Sequence, residues 1–156
     1  MPLVLTPGFG HREKMTTYLA LFVSAFLSAT LLPGSSEAGL AAAAGLSDLP
    51  VLMLVAVATV GNTLGSCVNW LLGLLVARGG ERIKLPVSAA QLERFTGFYQ
   101  RYGVWSLLLA WVPIVGDPLT VLAGLARTPF LLFLPLVAIG KLVRYLGVVG
   151  LVSLGT

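Results

Sequence analysis

Apolar and polar residues fall into long separate blocks along this chain rather than alternating. A stretch with Pro2, Pro7, Gly8 and Gly10 runs from Met1 to Lys14 and closes on Arg12, Glu13 and Lys14; an uncharged apolar run then extends from Met15 to Leu32. It stops at Pro33-Gly34-Ser35-Ser36-Glu37, where proline and glycine break a helix. Small residues fill Ala38 to Leu46, and Leu49 to Ala77 carries no charge across 29 residues. As a helix that run is about 43 Å long at roughly 1.5 Å per residue, more than the roughly 30 Å hydrocarbon core of a bilayer. Apolar sequence resumes from Val104 to Ala126, interrupted by Pro113, Asp117 and Pro118. The last run, Pro129 to Gly155, holds Lys141 and Arg144 in its middle. These blocks predict helices that enter or cross a membrane.

Residues 78–103 have a different character. Arg78, Arg82, Lys84, Arg94 and Arg101 face only Glu81 and Glu93. Ser88 and Gln91 have the spacing of a capping box. Leu92, Phe95, Tyr99 and Tyr102 then recur three and four apart, which predicts an amphipathic helix lying in the headgroup region, with a soluble linker helix as the plainer alternative.

The blocks on either side repeat. Pro33 precedes Glu37 by four residues and Pro113 precedes Asp117 by four; Gly45 precedes Pro50 by five and Gly124 precedes Pro129 by five. Gly61 lies eleven residues beyond Pro50, and Gly140 eleven beyond Pro129. In each half the segment after the break is too short to cross the bilayer, so a re-entrant hairpin fits both of its arms. Such backbone is tolerated at membrane depth only where protein or a water-filled cavity covers it. A hairpin plus one crossing inverts the second half relative to the first. The expected fold is therefore an all-α integral membrane protein of two inverted repeats, 15–77 and 104–156, each a re-entrant hairpin plus a transmembrane helix. Segment 78–103 joins them within a single membrane domain, 15–156, behind a flexible tail, 1–14. Pro33, Gly34, Pro113 and Pro118 are the hairpin breakers. The repeat also argues against reading Met15 to Leu32 as a signal peptide. Six basic residues, those of 78–103 with Arg127, place the connector in the cytoplasm and both termini outside.

Composition narrows the function. Apolar residues make up 57% and charged residues 10%, with a mean hydropathy of +0.95; a soluble domain carries about 25% charge. Disorder is excluded, as is a disulfide scaffold by the single Cys67 and a Cys/His metal site by the single His11. The net charge of +4 is read as orientation and contact with anionic membrane lipids, not nucleic acid. No cofactor is implied.

Four ionisable residues lie deep in apolar sequence: Glu37, Asp117, Lys141 and Arg144. Each costs about 2.5–3.5 kcal/mol at a helix centre on insertion scales. Lys141, Arg144 and Tyr145 share a helix face that suits an anionic headgroup, the guanidinium offering bidentate contacts to phosphate. Glu37 or Asp117 would exchange a proton, because low-dielectric surroundings favour the neutral acid. The plainer reading is structural ion pairs or side chains that snorkel to the interface. Asn62, Ser66 and Asn69, at i, i+4 and i+7, give the long helix a polar face beside Gly61 and Gly65. That pattern favours close helix approach and hydrogen bonding over substrate contact. No G-x-S-x-G, P-loop or histidine-centred arrangement is present, so no enzymatic activity is expected.

The runs Ser28-Ala29-Thr30-Leu31-Leu32-Pro33-Gly34-Ser35-Ser36-Glu37, Gly61-Asn62-Thr63-Leu64-Gly65, Trp111-Val112-Pro113-Ile114-Val115-Gly116-Asp117 and Gly140-Lys141-Leu142-Val143-Arg144-Tyr145 resemble the YqaA branch of the DedA superfamily, over roughly residues 16–150. The resemblance implies a bacterial inner-membrane protein with the VTT, or SNARE-associated, domain fold. It implies transport of polyprenyl phosphates or phospholipids linked to proton-motive force, or a part in envelope homeostasis. Glu37 matches the acid of the family's Pro-Gly-Glu motif, with two serines inserted here. Better-known members carry an aspartate at the position of Ser66 and arginines at those of Ala110 and Gly116. The expected function is a lipid-linked phosphate transporter or flippase-like protein acting as a homo-oligomer. A membrane-organising protein without transport and a small proton-coupled solute carrier are the alternatives.

Overall fold

A computed structural model describes residues 10–30, 35–80 and 82–154. Among them are six α-helices, one 3-10 segment and no strand. Helix α1 (His11–Ser28) starts four residues before the apolar run, because Glu13 accepts a hydrogen bond from the Gly10 N–H at 3.1 Å and closes the first turn. His11 to Lys14 therefore belong to α1 and not to the tail expected over 1–14. The Pro33-Gly34 break lies outside the described residues. Helices α2 (Ser35–Leu46) and α3 (Val51–Ala77) follow, then α4 (Ala89–Tyr102), the 3-10 segment (Gly103–Leu109), α5 (Gly116–Leu125) and α6 (Phe130–Leu154).

Length and composition separate these helices. Only α3 and α6, with 27 and 25 residues and mean hydropathies of 1.9 and 1.8 in their most apolar windows, are long and apolar enough among the described residues to cross a bilayer. Helices α2 and α5, with 12 and 10 residues, reach about 18 and 15 Å at roughly 1.5 Å per residue, half a hydrocarbon core. The chain reverses between the 3-10 segment and α5. There Ile114 takes a left-handed φ of 71°, and any Cβ on Gly116 would run into the Ala110 carbonyl. The reversal ends before Pro118, which corrects its reading as a breaker. As the third residue of α5, Pro118 sits where a helix has no acceptor for an N–H, so its missing donor costs nothing and its fixed φ helps start the helix.

Each long helix packs against one element from each half of the chain. Helix α3 holds α1 and α5, and α6 holds the 3-10 segment and α2. The α1–α3 contact is close because Gly61 and Gly65 lack side chains: a Cβ on either would stand 2.6 and 2.5 Å from the carbonyl oxygens of Phe22 and Phe26. Gly73 of α3 and Gly124 of α5 meet in the same way, each against the other helix's backbone. One apolar cluster gathers Leu21, Leu40, Leu54 and Tyr145; a second gathers Leu107, Leu119, Phe133 and Val137.

The connector helix α4 opens with the expected capping box, the Gln91 N–H donating to Ser88 Oγ at 3.2 Å. Its stripe is not left wholly to lipid headgroups: Leu92, Phe95 and Phe98 pack on the second cluster. Tyr99 is buried, its hydroxyl 2.6 Å from the Thr128 hydroxyl. Burial pushes the Tyr99 hydroxyl above the ordinary tyrosine range, although the Thr128 bond pulls the other way.

Two outcomes follow from this packing. Gly124→Ala, forcing a methyl into the Trp70 carbonyl, should destabilise the protein by about 1–3 kcal/mol in unfolding measured in detergent. Gly150→Ala, whose methyl meets open space, should cost nothing. Because the Tyr99 proton is held more tightly folded than unfolded, docking of α4 should be unchanged across neutral pH. It should weaken as pH rises past the unfolded tyrosine value of about 10. Hydrogen exchange across 89–102 reads this, and Tyr99→Phe should remove the alkaline loss.

Candidate functional site

The four buried ionisable residues come from three elements. Glu37 is the third residue of α2 and Asp117 the second of α5, so each acid occupies a first turn, where unbonded N–H groups favour negative charge. Lys141 and Arg144 lie in the middle of α6, one turn apart.

Arg144 pairs directly with Glu37, their side chains 13% and 20% exposed. Arg144 also lines a narrow cavity of about 10 Å³ walled by Ser28, Asn62, Pro113, Asp117 and Lys141, room for about one water. Lys141 is 2% exposed. Asp117 and Lys141 interact across this space without the direct contact that joins Glu37 to Arg144. Glu37 faces a different space, a surface groove that it shares with Arg144 and Pro113. The two acids thus line two different spaces, and Arg144 lines both. The set is neutral, two acids against two cations, as charges in a low-dielectric site must be. An anion brought to Lys141 or Arg144 would upset that balance unless a carboxylate took up a proton or moved away.

The other expected site residues divide. Tyr145 is fully buried in the first apolar cluster, its hydroxyl accepting from Asn62 Nδ2 at 2.8 Å. It still interacts electrostatically with Arg144, but it is Lys141 and Arg144 that line the cavity. Asn62 also donates to Ser28 Oγ at 3.0 Å and reaches the cavity wall. Asn69 donates to the Ala29 carbonyl at 2.7 Å, and Ser66 is fully buried. Asn62 and Asn69 therefore tie α3 to its neighbours while the Ser66 hydroxyl is buried with no hydrogen-bond partner among the described residues, and only the Asn62 end touches the charged site. Ser28 had no spacing signal; the close α1–α3 crossing brings it there. Among the described residues no three of His, Cys, Asp and Glu gather as metal ligands would.

Residues 32–154 match the model of the VTT domain. The chain belongs to the VTT domain family, within the DedA superfamily. It is 41% identical over 141 residues to the Escherichia coli K12 protein named inner membrane protein YqaA, a match covering 87% of this chain and 91% of that protein. The protein of the same name from Shigella flexneri matches equally. An uncharacterized protein of Haemophilus influenzae is 36% identical over 132 residues, 80% of each chain. No solved structure matches. With its two long apolar helices, this is a membrane protein of that family.

Removing one member of the Glu37–Arg144 pair should leave a buried charge uncompensated. Glu37→Gln or Arg144→Gln should each lower stability by about 3 kcal/mol, and Glu37→Gln/Arg144→Gln together by less than their sum. Unfolding of the three variants in one detergent checks this coupling.

Proposed function

We propose that this chain is a bacterial inner-membrane transporter or flippase-like protein for a lipid-linked phosphate, a polyprenyl phosphate or a phospholipid. Arg144 and Lys141 attract the phosphate, and Glu37 or Asp117 exchanges the proton that keeps the site neutral. The observation that carries this reading is the position of Arg144, paired with a carboxylate at the groove and lining a cavity that holds a second acid and a second cation. A guanidinium so placed can exchange a carboxylate for a phosphate without losing charge pairing.

The architecture we propose for it is two inverted repeats with re-entrant hairpins. Supporting it are the shortness of α2 and α5 and the packing of each long helix against one element from each half of the chain. Orientation follows the basic residues, with 78–103 in the cytoplasm. A homo-oligomer encloses more of the site than 156 residues do alone. We assign the chain no enzymatic step.

A membrane-organising role without transport is the second reading, favoured by the closed Glu37–Arg144 contact. Vesicles reconstituted with the protein and a labelled polyprenyl phosphate separate the two. Translocation should exceed that of empty vesicles and fall about tenfold or more in folded Arg144→Ala and Glu37→Gln variants, the scale of one lost charge-assisted contact. A pH gradient should change the wild-type rate. Rates equal to empty vesicles, in an assay where a competent transporter succeeds, would overturn the transport reading in favour of the organiser.

A further inference from the structure

We propose that the groove between α2, the turn before α5 and α6 seats the hydrocarbon chain of a lipid whose phosphate head carries net negative charge and lies against Arg144. This deepens the function proposed above and rests on it. The groove has a volume of about 600 Å³, with Glu37 and Arg144 at one end and Val143, Gly147, Val148 and Leu151 along its length. Those α6 positions recur at the helical repeat and run about 12 Å along the axis at roughly 1.5 Å per residue. Val143 and Leu151 are 59% and 73% exposed on a helix long and apolar enough to span, so the groove opens toward surrounding lipid.

Two features identify the occupant. First, the groove is open at Gly147, where a Cβ would meet nothing within 4 Å, so a chain can lie along α6 there. Second, the groove is polar at one end only, where the cation is held by a single carboxylate. An apolar chain with an anionic end complements both; free phosphate gains nothing from the apolar length, and a lipid without net charge gains nothing at Arg144. A larger groove of about 710 Å³ between α1 and α2 also has one cation and one acid, Arg12 and Glu13, but adds Thr16, Thr17, Ser24 and Ser47, whereas beyond Glu37 and Arg144 the α6 groove is lined by apolar residues alone. Arg144 also walls the inner cavity, so a head held in the groove touches the guanidinium that faces Asp117 and Lys141.

The probe is phosphatidic acid carrying a diazirine at the end of one acyl chain, irradiated with the full-length protein in phosphatidylcholine vesicles. Sites of attachment are mapped by mass spectrometry. Labelling should concentrate on 143–151 over the exposed Leu131 and Leu132 of the same helix. Gly147→Phe, filling the groove, should cut it about fivefold by removing apolar contact. Gly150→Phe, on the same helix with equally open space but outside the groove, should not. The same probe with a phosphocholine head should label 143–151 less, and Arg144→Gln should erase that difference. Equal labelling of 131–132, or no effect of a folded Gly147→Phe, overturns the proposal. Should Gly147→Phe fail to fold, the two heads compared on the wild-type protein still decide: equal labelling by both overturns it. The two hypotheses fail separately. Transport without groove labelling removes the groove and leaves the transporter, whereas groove labelling without transport removes the transporter.

Discussion

A hydrocarbon medium does not tolerate an unpaired charge, and this structure is arranged around one guanidinium that answers to that constraint. Arg144 compensates Glu37 and lines the Asp117 and Lys141 cavity. The pair also helps to hold α2. Helix α2, with the sequence SSEAGLAAAAGL, is composed largely of alanine and glycine, and Ser36 and Leu40 are its buried residues among those described. It packs on α1, α3 and α6, with Leu40 in the first apolar cluster, and the Glu37–Arg144 pair adds a charge contact to α6. Helix α5 is the opposite case: every residue from Pro118 to Gly124 is buried, and Gly73 and Gly124 let its backbone lie directly on α3. Both short helices are held by packing, and α2 carries the Glu37–Arg144 ion pair in addition.

That difference assigns different tasks to two acids that look equivalent in the chain. Asp117 rides on a helix locked by close backbone contact, and its distance to Lys141 is fixed by that packing. Glu37 rides on a helix that is more exposed than α5 but packs on α1, α3 and α6. Neutralising Asp117 changes the electrostatics of a rigid cavity. Neutralising Glu37 removes an attachment of α2 and frees a cation at the end of an apolar groove.

Much of this was legible in the residues. Long apolar runs gave α3 and α6, because length and hydropathy alone decide whether a helix can span. The Ser88–Gln91 cap marked the start of α4, since capping is local chemistry. Glu37, Asp117, Lys141 and Arg144 were visible as charges that apolar sequence cannot hold without a partner. What could not be read was which partner each would find. Tyr145 follows Arg144 directly, yet turns to Asn62 because α3 approaches at that level. Ser28 joins the cavity because two glycines let α1 close on α3. Pro118 was misassigned because a proline that breaks one helix and a proline that begins the next look alike until the reversal is located. The reversal depends on Ile114 in a left-handed conformation that β-branched residues disfavour by about 1–2 kcal/mol, so no local preference announces it.

The strain at Ile114 bears on mechanism. A β-branched residue stays left-handed only where its surroundings over-determine it, and here those surroundings are the Ala110–Gly116 contact and buried α5. Ile114 and Pro113 line the cavity beside Asp117, and Pro113 also lines the groove beside Glu37. The partition between the two spaces is therefore one stiff turn plus the Arg144 side chain. Of these, the turn is held by backbone contacts that cannot shift by small steps, while an arginine changes rotamer at modest cost. The same contrast separates the two short helices: α5 is buried from Pro118 to Gly124, whereas α2 has only Ser36 and Leu40 buried among its described residues.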